Sequence, residues 1–325
     1  MQTLIASQHQ ISQLFPMAEA LEVMEEALRS LETGDALLPL RSVIHLPDGR
    51  GLMGLMPSYL GDIQSLGVKV ITVFPDNHGT EFDAHQGVVL LFDAERGLLR
   101  AIVDATSITA IRTAAVSGVA TRLLAREDPG DLAIIGAGTQ ARTHLEAMLL
   151  VRPIRRVRVY SRSLERAQEY ARRESSRHGI EIQVSRTARE AVAGADIICT
   201  TTTATEPVVQ GEWLAPGAHI NAVGACLPAT RELDTQAVLR SRLYVDRRES
   251  TLNEAGDFLI PRAKGVIGDD HIVGELGQIL AGTVPARSQP DEITLFKSLG
   301  IAIEDLASAH YILQKAKETR IGTWV

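Results

Sequence analysis

The strongest constraint in this chain is one junction. The apolar run Leu132–Ile135 leads into Gly136-Ala-Gly138-Thr139-Gln140-Ala141, and a helical stretch, Thr139–Leu150, follows at once. Glycines at the first and third positions of such a turn let it close tightly and let a ligand approach the backbone, while the helix start offers free N–H groups and a positive dipole end. A lone G-x-G-x-x-A pattern is a weak signal; its context strengthens it. Further strand-like runs at Arg156–Tyr160, Glu181–Val184, Asp196–Thr201, His219–Val223 and Leu243–Asp246 alternate with helical stretches at Leu164–Arg177, Thr187–Val192 and Glu232–Leu239. Alternation of this kind predicts an α/β, doubly wound parallel sheet with helices on both faces. Gly136, Gly138, Thr139 and Gln140 are then candidates for holding a dinucleotide pyrophosphate.

The end of the second strand bears on which dinucleotide. An acidic residue about 20 positions past the glycines normally binds the ribose 2′-hydroxyl of NAD. Here Val157-Arg158-Val159-Tyr160 runs into Ser161-Arg162-Ser163. Two hydroxyls and a guanidinium suit a 2′-phosphate, which arginine binds with a planar fork. NADP(H) is therefore expected, with NAD(H) as the alternative.

The flanking segments have other periods. Pro16 opens a helix whose Met17, Leu21, Met24, Leu28 and Leu31 share one face, with Gly34 past its end. Arg41–Leu46, Leu52–Met56, Gly67–Val73, Gly87–Phe92 and Leu98–Val103 read as strands of an antiparallel or mixed sheet. Ile108–Arg126 is helical, and Asp128-Pro-Gly130 breaks it. A last long helix is expected from near Glu292, with Leu299, Ile303, Leu306 and Leu313 on one face. The expected arrangement is one domain of residues 1–112 plus 293–325, for substrate binding and dimerisation, around a Rossmann domain of residues 113–292. The 325-residue length suits two domains.

Composition narrows the partners. A net charge of −7 argues against a nucleic acid or an anionic membrane. No stretch approaches the ~20 apolar residues of a membrane span, and the first residues do not read as a signal peptide. Two cysteines, Cys199 and Cys226, exclude a disulfide scaffold and a thiolate-only metal site. A soluble, cytoplasmic protein is expected.

Three cations stand among apolar or small residues: Arg41, Lys69 and Arg112. A charge in such a setting is costly unless paired, so each is either a binding group or half of a structural ion pair. His78, Glu81 and His85 have helical spacing in a segment that reads as a loop, so no metal is expected. No G-x-S-x-G elbow is present.

Several longer stretches resemble the ornithine cyclodeaminase/μ-crystallin family, across nearly the whole chain. They are Gly54-Leu-Met-Pro57, Gly67-Val-Lys69, His85-Gln-Gly87, Thr109-Ala-Ile-Arg-Thr-Ala-Ala115, Gly136-Ala-Gly138, Thr205-Glu-Pro207, Pro216-Gly-Ala-His-Ile-Asn-Ala-Val-Gly-Ala225, Arg231-Glu-Leu-Asp234 and Leu295-Phe-Lys-Ser-Leu-Gly300. The likeness is strongest to the ketimine reductases. It implies a homodimer formed through the N-terminal domain. It implies that Arg41, Lys69 and Arg112 line a substrate carboxylate site, and that His85, Gln86, Arg112 and Thr113 lie beside the cofactor. It further implies that Ser161, Arg162 and Ser163 form the 2′-phosphate loop, with Val223, Gly224 and Ser298 near the nicotinamide.

Two departures bear on the reaction. Cyclodeaminases of the family carry an acidic residue where this chain has Gly54. They and the family's alanine dehydrogenases carry a catalytic aspartate where it has Cys226. Deaminating an ammonium group calls for a carboxylate base, and a thiol serves poorly at neutral pH. A protonated cyclic imine is already electrophilic and needs only hydride. The expectation is NAD(P)H-dependent reduction of Δ1-pyrroline-2-carboxylate or Δ1-piperideine-2-carboxylate to an L-amino acid such as proline or pipecolate. Lys69 or a water would supply a proton. The alternatives are an ornithine cyclodeaminase or alanine-type dehydrogenase, and a non-catalytic binder of NADPH and a carboxylate ligand. Met53, Leu55, Tyr59 and Phe74 either shape the pocket or belong to the core.

Overall fold

Between residues 52 and 60 burial falls on every second side chain, at Gly54, Met56, Ser58 and Leu60. That period of two is what a strand imposes when one face of its sheet is covered. In the computed structural model, which describes residues 2–77 and 80–325, the chain begins β1 (Leu4–Ala6), α1 (Gln8–Leu14), α2 (Met17–Glu32), β2 (Ala36–Leu37), β3 (Ser42–His45), β4 (Leu52–Leu60), β5 (Ser65–Val73), β6 (His85–Asp93), β7 (Leu99–Asp104) and α3 (Ala105–Leu124). It continues β8 (Asp131–Ile135), α4 (Thr139–Val151), β9 (Arg156–Tyr160), α5 (Leu164–His178), β10 (Ile182–Val184), α6 (Ala188–Val192), β11 (Ile197–Thr200), β12 (His219–Ala222), α7 (Thr235–Leu239), β13 (Ser241–Val245), α8 (Arg248–Glu254), α9 (Gly256–Ala263), β14 (Ile272–Glu275), α10 (Leu276–Leu280) and β15 (Ile293–Lys297). It ends with α11 (Ala302–Thr319) and β16 (Thr323–Trp324).

The chain divides into two units, Met1–Arg112 with Gly300–Val325, and Thr113–Leu299. In the first, a mixed sheet runs β16-β1-β7-β6-β5-β4-β2, with β3 also on β4. Helix α11 covers one face of β4 to β7 and packs against α2. Its Ile303, Leu306, Ile312 and Leu313 are buried, each stabilising by about 1.5–3 kcal/mol. In α2, Met17, Leu21, Met24 and Leu28 are buried, as the spacing predicts; Pro16 is the cap rather than the first helical residue.

The second unit holds a parallel sheet ordered β10-β9-β8-β11-β12-β15-β13-β14. From β8 the chain winds outward through β9 and β10, then returns to β11 on the other side, the doubly wound pattern. Buried Ile134, Ile198, Ile220, Leu243 and Leu295 line its strands.

Three expectations need correction. The long final helix does not begin near Glu292. Residues 293–297 are β15, paired on both sides by β12 and β13, and the helix starts at Ala302. All five residues of β15 are buried, so no alternation marks it as a strand. Residues 293–299 therefore belong with the second unit. The helix expected at Glu232–Leu239 begins at Thr235, because Asp234 caps it by accepting from Ala237 N–H. Finally, β14 and the short helices α8, α9 and α10 are elements that the sequence pattern did not announce.

Candidate active site

In the first unit the site is built on one register row. Met56 of β4, Lys69 of β5, Val89 of β6 and Val103 of β7 stand opposite one another, so their side chains share the sheet face that α11 covers. A lysine in that row is fully enclosed, and α11 meets it with a carboxylate. Lys69 Nζ lies 2.7 Å from Asp305 Oδ2, with the two side chains 2% and 1% exposed. Arg112, near the middle of α3, sends Nε to Asp305 Oδ1 at 3.1 Å and Nη1 to Glu304 Oε2 at 2.7 Å. Asp305 thus bridges two cations. Both acids sit in the first turn of α11, where the helix dipole favours negative charge.

Gly300 connects the third cation. Its backbone has φ +74°, and a Cβ there would collide with the Arg112 guanidinium. Its carbonyl oxygen accepts from Arg41 Nη2 at 3.0 Å. One glycine therefore makes room for Arg112 and anchors Arg41.

Electrostatics at the cluster are uneven. Burial drives the Lys69 ammonium down to about 8; Asp305 opposes this, while Arg112 and Arg41 reinforce it. Burial also works against the Arg112 charge, but Asp305 and Glu304 outweigh it and hold the guanidinium above its ordinary range. Asp305 is held below the usual carboxylate range: burial would raise it, but Arg112 and Lys69 prevail. Lys69 and Arg112 are met by Asp305 and Glu304, and Arg41 is a third cation close enough to act on Lys69. Of the two readings of the sequence, the internal ion pair is the one the geometry shows for Lys69 and Arg112.

The sequence reading missed Glu304 and Asp305. The available signal was two adjacent acids in the otherwise apolar and small-residue run Ala302-Ile-Glu-Asp-Leu-Ala-Ser-Ala309. Met53, Leu55 and Tyr59 stand opposite Thr72, Val70 and Leu66, on the sheet face away from Lys69. They do not line the Lys69 cluster. Gly54, two residues before Met56, is on the Lys69 face. His85 and Gln86 begin β6 and are exposed; His85 is four residues from Val89, about 13 Å along the strand. Residue His78 lies outside the described residues. Among the described residues, no group of three or more His, Cys, Asp or Glu side chains is placed to hold a metal.

In the second unit the dinucleotide candidates share one edge. Tyr160, Ile135, Thr200, Ala222 and Lys297 are register partners across β9, β8, β11, β12 and β15. Ser161, Gly136, Val223 and Ser298 each follow a member of that row, at the carboxyl ends of the strands. Open α/β sheets bind their ligands there. Gly136 has φ +124°, and a Cβ on it would stand 2.6 Å from Thr201 Oγ1. Gly138 caps α4 without a side-chain acceptor, and a Cβ there would meet nothing within 4 Å. The first N–H groups of α4, at Thr139 and Gln140, follow directly on that open position. These features fit a dinucleotide pyrophosphate. Ser163 Oγ accepts from Arg166 N–H and caps α5. Arg162 is exposed and makes no side-chain hydrogen bond or ion pair among the described residues. Thr113 is buried in α3.

Beneath this edge is Glu232, fully buried, which accepts from Thr200 Oγ1 (2.8 Å), Thr202 N (2.6 Å), Thr202 Oγ1 (2.7 Å) and Gly224 N (2.6 Å). Burial raises its carboxyl, and Lys297 opposes the rise. The carboxylate ties the ends of β11 and β12 together and so positions Gly224. Ser298 N–H donates to Ala222 O at 3.0 Å, placing Ser298 beside Val223. Cys226 is half-buried, its Sγ 3.4 Å from the Val223 carbonyl.

Known proteins resemble this chain over most of its length. The model of the ornithine cyclodeaminase/mu-crystallin family matches residues 1–320. The ketimine reductase mu-crystallin of Mus musculus is 42% identical over 279 residues, 86% of this chain and 85% of that protein. The structure of Thermococcus litoralis Δ1-pyrroline-2-carboxylate reductase in complex with NADH and L-proline is 43% identical, covers 99% of this chain and 100% of its own, and superposes with a TM-score of 0.97. An archaeal alanine dehydrogenase dimer with bound NAD is 32% identical, covers 100% and 99%, and has a TM-score of 0.94.

Proposed function

The chain belongs to the ornithine cyclodeaminase/μ-crystallin family, and from that premise we propose that it is an NAD(P)H-dependent reductase of cyclic ketimine carboxylates. Its substrate is Δ1-pyrroline-2-carboxylate or Δ1-piperideine-2-carboxylate, and its product L-proline or L-pipecolate. The observation that carries this reading is the full-length likeness, at a TM-score of 0.97, to a reductase described with NADH and L-proline. The gathering of three cations, Arg41, Lys69 and Arg112, supports it.

In this reading Arg41, Lys69 and Arg112 receive the substrate carboxylate and fix the ring, so that the imine carbon is held at reacting distance, about 3–3.5 Å. The dinucleotide, when bound, supplies the hydride to that carbon. Lys69 keeps a proton on Nζ in an enclosed site and can share it with the imine nitrogen, whose C=N π pair becomes the amine lone pair or N–H bond. Gly136, Gly138 and the first turn of α4 hold the pyrophosphate; Val223, Gly224 and Ser298 line the nicotinamide end, and His85, Gln86, Arg112 and Thr113 lie beside the cofactor.

The cofactor is a nicotinamide dinucleotide, and Ser161-Arg162-Ser163 favours NADPH, because an exposed and unengaged guanidinium is available to a 2′-phosphate. The protein acts as a homodimer. Supporting this, the sheet face opposite α11 exposes Leu66 and Ile44 (45% and 54%). Its setting is the cytoplasm, consistent with two free cysteines.

A panel of cyclic imines, ornithine and alanine, each with NADPH and NADH or their oxidised forms, tests the proposal. Cyclic imine reduction dominating the panel is the expected result. Ammonia release from ornithine, or alanine oxidation as the fastest reaction, overturns it. Arg162→Asp is expected to raise the KM for NADPH at least tenfold and leave that for NADH within about twofold; an unchanged preference refutes the 2′-phosphate role.

A further inference from the structure

Asp305 touches two of the three cations, with each carboxylate oxygen committed to a different one: Oδ2 to Lys69 Nζ at 2.7 Å and Oδ1 to Arg112 Nε at 3.1 Å. The three residues come from a strand, a helix and a second helix, and all are enclosed. Without an anion between them, two buried cations would repel each other and splay apart.

We propose that Asp305 is a positioning residue that yokes Lys69 and Arg112 into one anion-binding unit, aiming both at the substrate carboxylate and keeping Lys69 protonated for it. This rests on the carboxylate-binding role given above to Lys69 and Arg112. The groups facing Lys69 are Asp305 from α11, Arg112 from α3 and Arg41 from the segment before β3. Asp305 is the anion among them and opposes the deprotonating pull of the others. Its loss therefore lowers the pH at which Lys69 gives up its proton. The yoke needs both oxygens as acceptors, so an amide in their place satisfies one cation and confronts the other with a donor.

The test is steady-state kinetics of Asp305→Asn and Asp305→Glu against wild type, with Δ1-pyrroline-2-carboxylate and the preferred dinucleotide, from pH 6 to 10. For Asp305→Asn the KM for the imine is expected to rise more than tenfold. The KM for the dinucleotide should stay within twofold, and the alkaline limb of kcat/KM should move at least one pH unit lower. Asp305→Glu, which keeps the charge, restores the limb. A folded Asp305→Asn protein with the wild-type limb and an imine KM within twofold overturns the proposal. If Asp305→Asn does not fold, wild-type protein carrying [ε-13C]lysine decides by NMR. One lysine titrating well below the rest, with its midpoint raised by L-proline, supports the yoke; a Lys69 signal that ignores L-proline overturns it. Wild-type protein inert toward every cyclic imine overturns the function reading, while the NMR titration, with L-proline or acetate as the probe, still judges the yoke.

Discussion

Replacing Lys69 by methionine separates the cost of burying an ammonium from the use made of it. Burial holds Lys69 at about 8, against an ordinary 10.5. Between those two values the unfolded chain binds a proton that the folded chain has released. Stability therefore rises with pH across that window, and below pH 8 the folded state bears the whole cost. At about 1.4 kcal/mol for each pH unit of the gap, the cost is about 3 kcal/mol. Methionine has similar length and no charge, so Lys69→Met lacks this dependence. Cys199, pushed up to about 12 by burial, and Tyr170, also raised by burial, contribute the opposite slope at alkaline pH, but equally in both proteins. Urea unfolding at pH 7, 8, 9 and 10 gives the difference. Wild type should gain about 2–3 kcal/mol on Lys69→Met between pH 7 and 10. Over the same range its kcat/KM for the imine should fall with a midpoint near 8, since the neutral amine no longer attracts a carboxylate. At pH 7 Lys69→Met should lose on the order of thirtyfold or more in kcat/KM, the equivalent of about 2 kcal/mol. A stability difference that stays flat to within 1 kcal/mol from pH 7 to 10 would refute the reasoning, as would a kcat/KM with no alkaline limb.

The other predictions concern the second unit and the reaction choice. His144 and His219 are buried and held neutral, the desolvation lowering them to about 4 and about 3. The unfolded chain takes up protons on both below pH 6.5 while the folded chain does not, so stability is full above 6.5 and is lost as pH falls toward 4. Urea midpoints at pH 7 and 5 should differ by the equivalent of about 2–4 kcal/mol, and His144→Gln should shrink the gap; equal midpoints would argue against burial as the cause. Gly136→Ala forces a Cβ into a φ of +124° and to 2.6 Å from Thr201 Oγ1, and should weaken NADH binding at least tenfold by fluorescence titration; wild-type affinity would show that the turn does not carry the dinucleotide. Gly54→Glu combined with Cys226→Asp places a carboxylate on the Lys69 face and one after β12. Ammonia release from ornithine should appear, and its absence from a folded double variant would show that these two positions do not choose the reaction.

Legibility in the sequence tracked the strength of local pattern. The strand–Gly136-Ala-Gly138–helix junction and most of the parallel strands were readable because each strand is a short apolar run bounded by turns. Strand β15 was not, because all five of its residues are buried and its neighbours β12 and β13 are distant in sequence. The helices α8 to α10 are too short for a periodicity to show. At the site, Arg41, Lys69 and Arg112 stood out as charges among apolar and small residues. Their carboxylate partners did not, since two acids in the first turn of a helix are common on any solvated surface.

Local chemistry in the sequence thus determined the glycine turn, the strand alternation, the odd placement of three cations and the absence of a ribose-binding acid after β9. Tertiary structure decided what the cations face. Only the register that puts Lys69 opposite Met56 and Val89, together with the return of α11 across that face, brings Asp305 from far along the chain to between Lys69 and Arg112. Register and helix docking are set by the summed burial of many side chains, a non-local quantity, whereas a turn or a cap is set by a few adjacent residues.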